Sequence, residues 1–262
     1  MVLLYKGGSM YIFLFFLLGL ILGSFYVNLG IRIGENENIC FPSSHCDNCS
    51  HKLKFYDLFP VLSYIFLKGK CRYCMKTISP FYPLLELLTG ILFSISFIVF
   101  AFSLKLILAL ILSSLLIIVI VTDFKYYLIP DSILLITLIL IFVYNYLDKG
   151  FISSLKYLSY GLIMFVFIYS IMLIGNYLLK KESLGGGDVK LLGVLGTSFL
   201  PLLSFFALTI ASFFALIPAV YVSIKTKEKI IPFGPFIILA FLLILFSGLN
   251  IKDIVEIFTF VK

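Results

Sequence analysis

Two aspartates stand where an apolar chain has least reason to carry charge. Asp123 follows the run 115–122, and Asp188 closes Gly185-Gly186-Gly187 just ahead of Val189-Lys190-Leu191-Leu192. An ionised carboxylate at the edge of a hydrocarbon layer is costly, so each is a candidate functional group. Within a few ångströms of each other, two carboxylates cannot both ionise cheaply and come to share one proton. The ionised member then takes a proton from water while the protonated member polarises a carbonyl, which is aspartic-protease chemistry. Three glycines suit such a site, because backbone without Cβ allows close approach to a peptide and unusual φ values. Asp188 at a helix start also meets the positive end of the helix dipole. Plainer readings stand beside these. Asp188 is also readable as an N-cap, Asp123 as a helix-end residue solvated by headgroups, and Asp131, after Ile129-Pro130, as an N-cap.

A second constellation is Cys46-Asp47-Asn48-Cys49 with Cys71-Arg72-Tyr73-Cys74. Two-residue spacing turns both thiolates of a pair toward one tetrahedral ion, and two such knuckles complete a four-thiolate zinc site. Four protein ligands leave no open position, so this zinc is structural. Lys68, Lys70 and Arg72 stand near to offset its net negative charge. Disulfides in an outward loop and a thiol-redox pair are the alternatives, and His45 and His51 are substitute ligands. Cys40 has no partner in the pattern and reads as a buried thiol. The segment 55–67 between the pairs is too apolar for a solvated loop and too short to span. An interfacial helix or re-entrant segment fits it, with the metal tying its ends.

The elements that must position these groups are membrane helices. Of 262 residues, 62% are hydrophobic and 13% charged, with mean hydropathy +1.16. Soluble domains run to about 45–50% apolar and about 25% charged, so the excess here must face lipid. Apolar runs cover 10–31, 82–103, 104–122, 132–147, 155–179, 189–204, 205–224 and 236–250, with only Pro201 punctuating the sixth and seventh. The fold class expected is an all-α polytopic bundle of about eight transmembrane helices with a zinc-binding cytoplasmic loop. It divides into an N-terminal anchor helix (1–31, retained rather than a cleaved signal), the four-cysteine loop (32–80) and a membrane domain (81–262). With the N-terminus outside, most of the 20 basic residues fall in cytoplasmic loops, leaving Lys6, Lys105, Lys149, Lys156, Lys252 and Lys262 outside. The net charge of +7 is therefore read as topology and headgroup contact rather than as a nucleic-acid footprint. Two crossings separate Asp123 from Asp188, which puts both on the cytoplasmic face. Glu86, one turn into the second span, is placed to pair with a basic loop residue or to line a site.

These residues resemble a known family, the bacterial type IV prepilin leader peptidases. The likeness runs through Gly23-Ser24-Phe25 with Asn28, Pro42-Ser43-Ser44, Tyr56-Asp57-Leu58-Phe59-Pro60, Gly69-Lys70-Cys71-Arg72-Tyr73-Cys74, Ile78-Ser79-Pro80 and Tyr82-Pro83-Leu84-Leu85-Glu86. It continues in Asp123-Phe124-Lys125, Leu128-Ile129-Pro130-Asp131, the GxGD motif Gly185 to Asp188, and Ile231-Pro232-Phe233-Gly234-Pro235-Phe236. The resemblance implies that Asp123 and Asp188 are the catalytic pair of an endopeptidase in the inner (cytoplasmic) membrane, its active site facing the cytoplasm. Its substrates would be type IV prepilins and pseudoprepilins, cut after a glycine. It further implies methylation of the new N-terminus from S-adenosylmethionine, with Gly69, Lys70 and Glu86 in that region. Two competitors remain: a GxGD protease of the presenilin or archaellin-processing type, which generally lacks a cysteine loop, and a non-enzymatic zinc-containing transporter.

Overall fold

A computed structural model describes residues 8–38, 45–46, 48–57, 59–180, 184–225 and 231–249. Cys40, Asp47 and the Pro42-Ser43-Ser44 motif lie outside the described residues, as do Lys6, Lys181, Lys227, Lys229, Lys252 and Lys262. Among the described residues the elements are helical. They are α1 (Gly8–Gly34), α2 (Leu62–Phe66), α3 (Phe81–Phe100), α4 (Leu104–Tyr126), α5 (Asp131–Lys149), α6 (Phe151–Leu179), α7 (Gly186–Gly196), α8 (Pro201–Lys225) and α9 (Gly234–Ser247). Every apolar run of the sequence is a helix. Six of them, α1, α3, α4, α5, α6 and α8, are long and apolar enough to cross a membrane.

The two remaining runs form shorter helices, and their punctuation explains why. In run 189–204 the chain leaves helix at Gly196; the N–H groups of Thr197 and Ser198 turn back to Val194 and Leu195. Pro201 then opens α8, where its missing N–H costs nothing. The boundary thus falls at 197–200 rather than at 204. Run 236–250 stops at Gly248, which takes the left-handed conformation.

The chain forms two compact units, one up to Leu106 and one from Ile107. In the first, α1 packs on α3 through a stripe of small residues: its buried positions are Gly19, Gly23, Val27 and Gly30. A Cβ at Gly19 would lie 2.7 Å from Gly90 Cα, and one at Gly23 would lie 2.7 Å from Thr89 Oγ1. Close backbone approach of this kind drives helix association in lipid, where burying leucine gains nothing. In the second unit α4 is the most enclosed span, with Leu108, Ala109, Leu112, Leu115, Ile117 and Val119 nearly inaccessible. Helices α6 and α7 cross tightly, and a Cβ at Gly193 would meet Phe165 Cβ at 2.9 Å.

Candidate active site

Asp123 lies inside α4, three residues before its end, with 7% of its surface exposed. It is therefore a buried carboxylate and not a headgroup-solvated helix end. After Tyr126 the chain turns through Tyr127 at φ +52° and runs extended to Pro130, because a residue before proline avoids the helical region. That stretch drops Ile129 into the interior, 8% exposed. The N-cap of α5 is Pro130, so Asp131 is the first helical residue and not a cap. Its carboxylate is bound instead by Lys190 of α7, with Nζ 2.8 Å from each oxygen.

Asp188 lies in the first turn of α7, whose N-cap is Gly185 in extended conformation. Because Gly185 is the N-cap, Asp188 is the third helical residue and the N-cap reading does not hold. Asp188 Oδ1 is enclosed without a hydrogen-bond partner among the described residues. Burial and then the charge of Asp123 push the Asp188 carboxyl up to about 7. The charge of Asp123 thus bears on Asp188. Asp123 Oδ2 in turn accepts the N–H of Gly234 at 3.0 Å, which orients that carboxylate from the start of α9.

Both acids line one cleft of about 430 Å³. Its walls are Tyr127 to Asp131, Gly185 to Gly187 and Lys190. The glycines act by close approach and not by unusual backbone angles, since none of Gly185, Gly186 and Gly187 has a positive φ. A Cβ on Gly185 would sit 3.0 Å from Asp188 Oδ2, and one on Gly187 3.1 Å from Ile129 Cβ. A Cβ on Gly186 would meet no other element within 4 Å among the described residues. A Cβ on Gly234 would meet Val119, Ile129 and Asp123 Oδ2 at 2.9, 3.0 and 3.1 Å. Sequence reasoning gave Gly234, Ile129 and Lys190 no individual part. The only signal for the first was its place in Ile231 to Phe236.

In the first unit the Sγ atoms of Cys46, Cys49, Cys71 and Cys74 lie within 4.8 Å of one another. All four are free thiols, and Cys46 and Cys74 sulfurs are 3.9 Å apart. That is well beyond a disulfide's roughly 2.05 Å. It matches the spacing of about 3.8 Å that tetrahedral ligands take on zinc at bond lengths of about 2.3 Å. The donor set fits the metal. The two knuckles are near copies. Cys46 N–H donates to His51 O and Cys71 N–H to Lys76 O, at 3.0 and 2.8 Å. Ser50 N–H donates to Cys46 O and Met75 N–H to Cys71 O, at 2.8 and 3.0 Å. Backbone N–H bonding, chiefly from Cys74, lowers the Cys71 thiol to about 7, which favours the thiolate a metal requires. His51 stacks on Tyr73, ring centroids 3.7 Å apart, and is not one of the clustered ligands.

Asp57 is the knot of this loop. It accepts from Arg72 Nε at 2.8 Å, Tyr73 OH at 3.1 Å and Lys54 N–H at 3.2 Å. Burial opposes its ionisation, but these bonds outweigh it and hold the carboxyl below its ordinary range. Arg72 is thus engaged by Asp57, a carboxylate outside the sulfur cluster. Glu86 Oε2 accepts the N–H of Val61 at 2.8 Å, and so meets a backbone donor rather than the basic loop residue expected. Val61 holds φ +60°, a strained setting for a β-branched residue, and Glu86 anchors it there.

Comparison with known proteins gives two family models. Residues 17–100 match the bacterial peptidase A24 N-terminal domain, and residues 110–220 match the type IV leader peptidase family. The chain is 38% identical over 229 residues to a prepilin leader peptidase/N-methyltransferase of Bacillus subtilis (strain 168), covering 84% of this chain and 88% of the relative. It is 35% identical over 187 residues to the Klebsiella pneumoniae protein of the same name, covering 69% and 82%. It is 34% identical over 207 residues to a type 4 prepilin-like proteins leader peptide-processing enzyme of Escherichia coli O78:H11 (strain H10407 / ETEC), covering 76% and 73%. No solved structure matches.

Proposed function

The chain belongs to the type IV leader peptidase family, and from that premise we propose that Asp123 and Asp188 cut the leader from type IV prepilins and pseudoprepilins. One observation carries the reading: two carboxylates, from α4 and α7, line a single cleft. Asp123, oriented by the Gly234 N–H, acts as base and takes a proton from water as the oxygen adds to the scissile carbonyl carbon. Asp188 gives its proton to the carbonyl oxygen. The C–N bond of the resulting diol then breaks, the nitrogen taking the proton now on Asp123 while a diol hydroxyl returns one to Asp188. Gly185 to Gly187 leave room for the peptide backbone. The cleft opens at the cytoplasmic membrane face, so the pilin's apolar helix stays in the bilayer while its leader reaches the acids and is cut after glycine.

The four cysteines hold a structural zinc whose role is to close the loop 32–80, while the unit from Ile107 carries the peptidase acids. Methylation of the new N-terminal amine is the second activity, supported by the names of the relatives and the intact cysteine loop. S-adenosylmethionine would supply the electrophilic methyl group. In this region Glu86 holds Val61, and Gly69, at φ +70° against the Tyr64 ring, leads into the first cysteine of the second knuckle, with Lys70 between them. Their part in methyl transfer is to fix the segment from which it proceeds.

The test is cleavage of a purified prepilin in detergent by Asp123→Asn and Asp188→Asn, each shown to be folded by an unchanged helical circular-dichroism spectrum and melting temperature. Each is expected to lose at least about 10³-fold in rate. Full activity in either folded variant would remove the assignment.

A further inference from the structure

Lys190 stands two residues beyond Asp188 on α7, and its side chain lines the same cleft. Asp131 holds it: both carboxylate oxygens lie 2.8 Å from Nζ, with the two side chains 71% and 51% exposed. An exposed ion pair of this kind contributes little to stability. Its place matters more than its strength. The chain leads from Asp123 through 127–130 to Asp131, crosses the ion pair to Lys190, and returns within α7 to Asp188.

We propose that Asp131 is a positioning residue of the cleavage reaction, holding the Lys190 ammonium at the rim so that this cation does not pair with the two acids and displace their shared proton. The proposal rests on the assignment of Asp123 and Asp188 as the catalytic pair. Two observations support it. The influences on Asp188 are burial and the Asp123 charge, both favouring the protonated acid, and no contribution from Lys190 opposes them. A lysine on four flexible methylenes, lining the same cleft as a carboxyl oxygen that has no hydrogen-bond partner among the described residues, would otherwise be its natural counter-ion. The titratable groups that line the cleft with Asp188 are few: helix α4 brings Asp123, the following turn Tyr127, α5 Asp131 and α7 itself Lys190, while α9 gives the uncharged N–H of Gly234 to Asp123. Among the described residues, α6 and α8 bring no titratable side chain to the cleft.

The experiment is the pH dependence of kcat and KM for prepilin cleavage by the full-length, zinc-loaded protein in detergent. Asp131→Asn frees the ammonium, which stabilises the carboxylate. The alkaline limb of kcat should move about one unit toward acid, with kcat above that limb about tenfold lower and KM little changed. Asp131→Asn with Lys190→Gln removes the cation too and should return the limb to its original position, a rescue that a merely structural role for Asp131 would not give. Lys190→Gln alone should leave the limb where it is. A limb unmoved in Asp131→Asn, equally displaced in the double variant, or shifted by Lys190→Gln alone overturns the proposal. Asp123→Asn and Asp188→Asn run alongside. If both are inactive and the limb is unmoved, the proposal fails alone; if either folded variant cleaves, both readings fall.

Discussion

At Gly234 a single added methyl group is a sharp probe, because its neighbours are Val119, Ile129 and the Asp123 carboxylate, all within 3.1 Å. Gly234→Ala should push Asp123 off its line and lower kcat by about 10²-fold, since a displacement near 1 Å at a reacting group costs that much. Gly186→Ala is the contrast. Among the described residues an added Cβ there meets no neighbouring element within 4 Å, so the melting temperature should hold while KM rises through contact with substrate. Acidity gives a second residue-scale expectation. With the Asp188 carboxyl pushed up to about 7, the shared proton is lost as pH rises through that value. Cleavage should therefore fall on the alkaline side of neutrality, whereas an unperturbed carboxyl near 3.9 would already be deprotonated throughout that range. Each acid was legible in the sequence as a candidate, because charge at the margin of an apolar run is conspicuous, and the family resemblance singled the two out as a pair. Gly234 and Ile129 were not, because their role comes from approach between α4, the 127–130 stretch and α9, which no local pattern encodes.

The knuckles show at element scale what spacing can and cannot reveal. Cys-x-x-Cys spacing announced the cluster, but the repeated hydrogen-bond frame needed coordinates: the same offset separates Cys46 from Cys71, Ser50 from Met75 and His51 from Lys76. Both residues after the second cysteine, Ser50 and Met75, take positive φ (+53° and +59°), the conformation glycine adopts at least cost. Ser50→Gly and Met75→Gly should each stabilise the loop by up to about 1 kcal/mol, read as resistance to zinc removal by chelator. Cys71→Ser should do the reverse and leave well under one zinc per chain. Helix existence followed from the apolar runs, while helix ends did not. Helix α4 runs past Thr122 to Tyr126, so Asp123 is an interior residue, and α7 ends at Gly196 because the backbone turns there ahead of Pro201.

Across the whole molecule, both acids fall on one face of the bilayer if 132–147 and 155–179 both cross it, and α5 and α6 are both long enough and apolar enough to do so. Lipid supplies the reason this much was legible: a backbone in hydrocarbon must satisfy its own hydrogen bonds, so long apolar runs have little choice but helix. Direction across the bilayer rests on the lysine and arginine bias alone. An impermeant thiol reagent should label Gly150→Cys, between α5 and α6, from outside the cell and Gly186→Cys only from the cytosolic side, each measured against the unsubstituted chain. The reverse pattern would turn the site outward.

The claim beneath all of this is that one acid from α4 and one from α7 work as a single unit. Single-turnover cleavage of a prepilin by Asp123→Asn, Asp188→Asn and the double variant measures that directly. Groups acting as a unit are non-additive, so all three proteins should share the same residual rate. A double variant slower than either single one by the product of their separate losses would mean that the two carboxyls act independently, and would contradict the account.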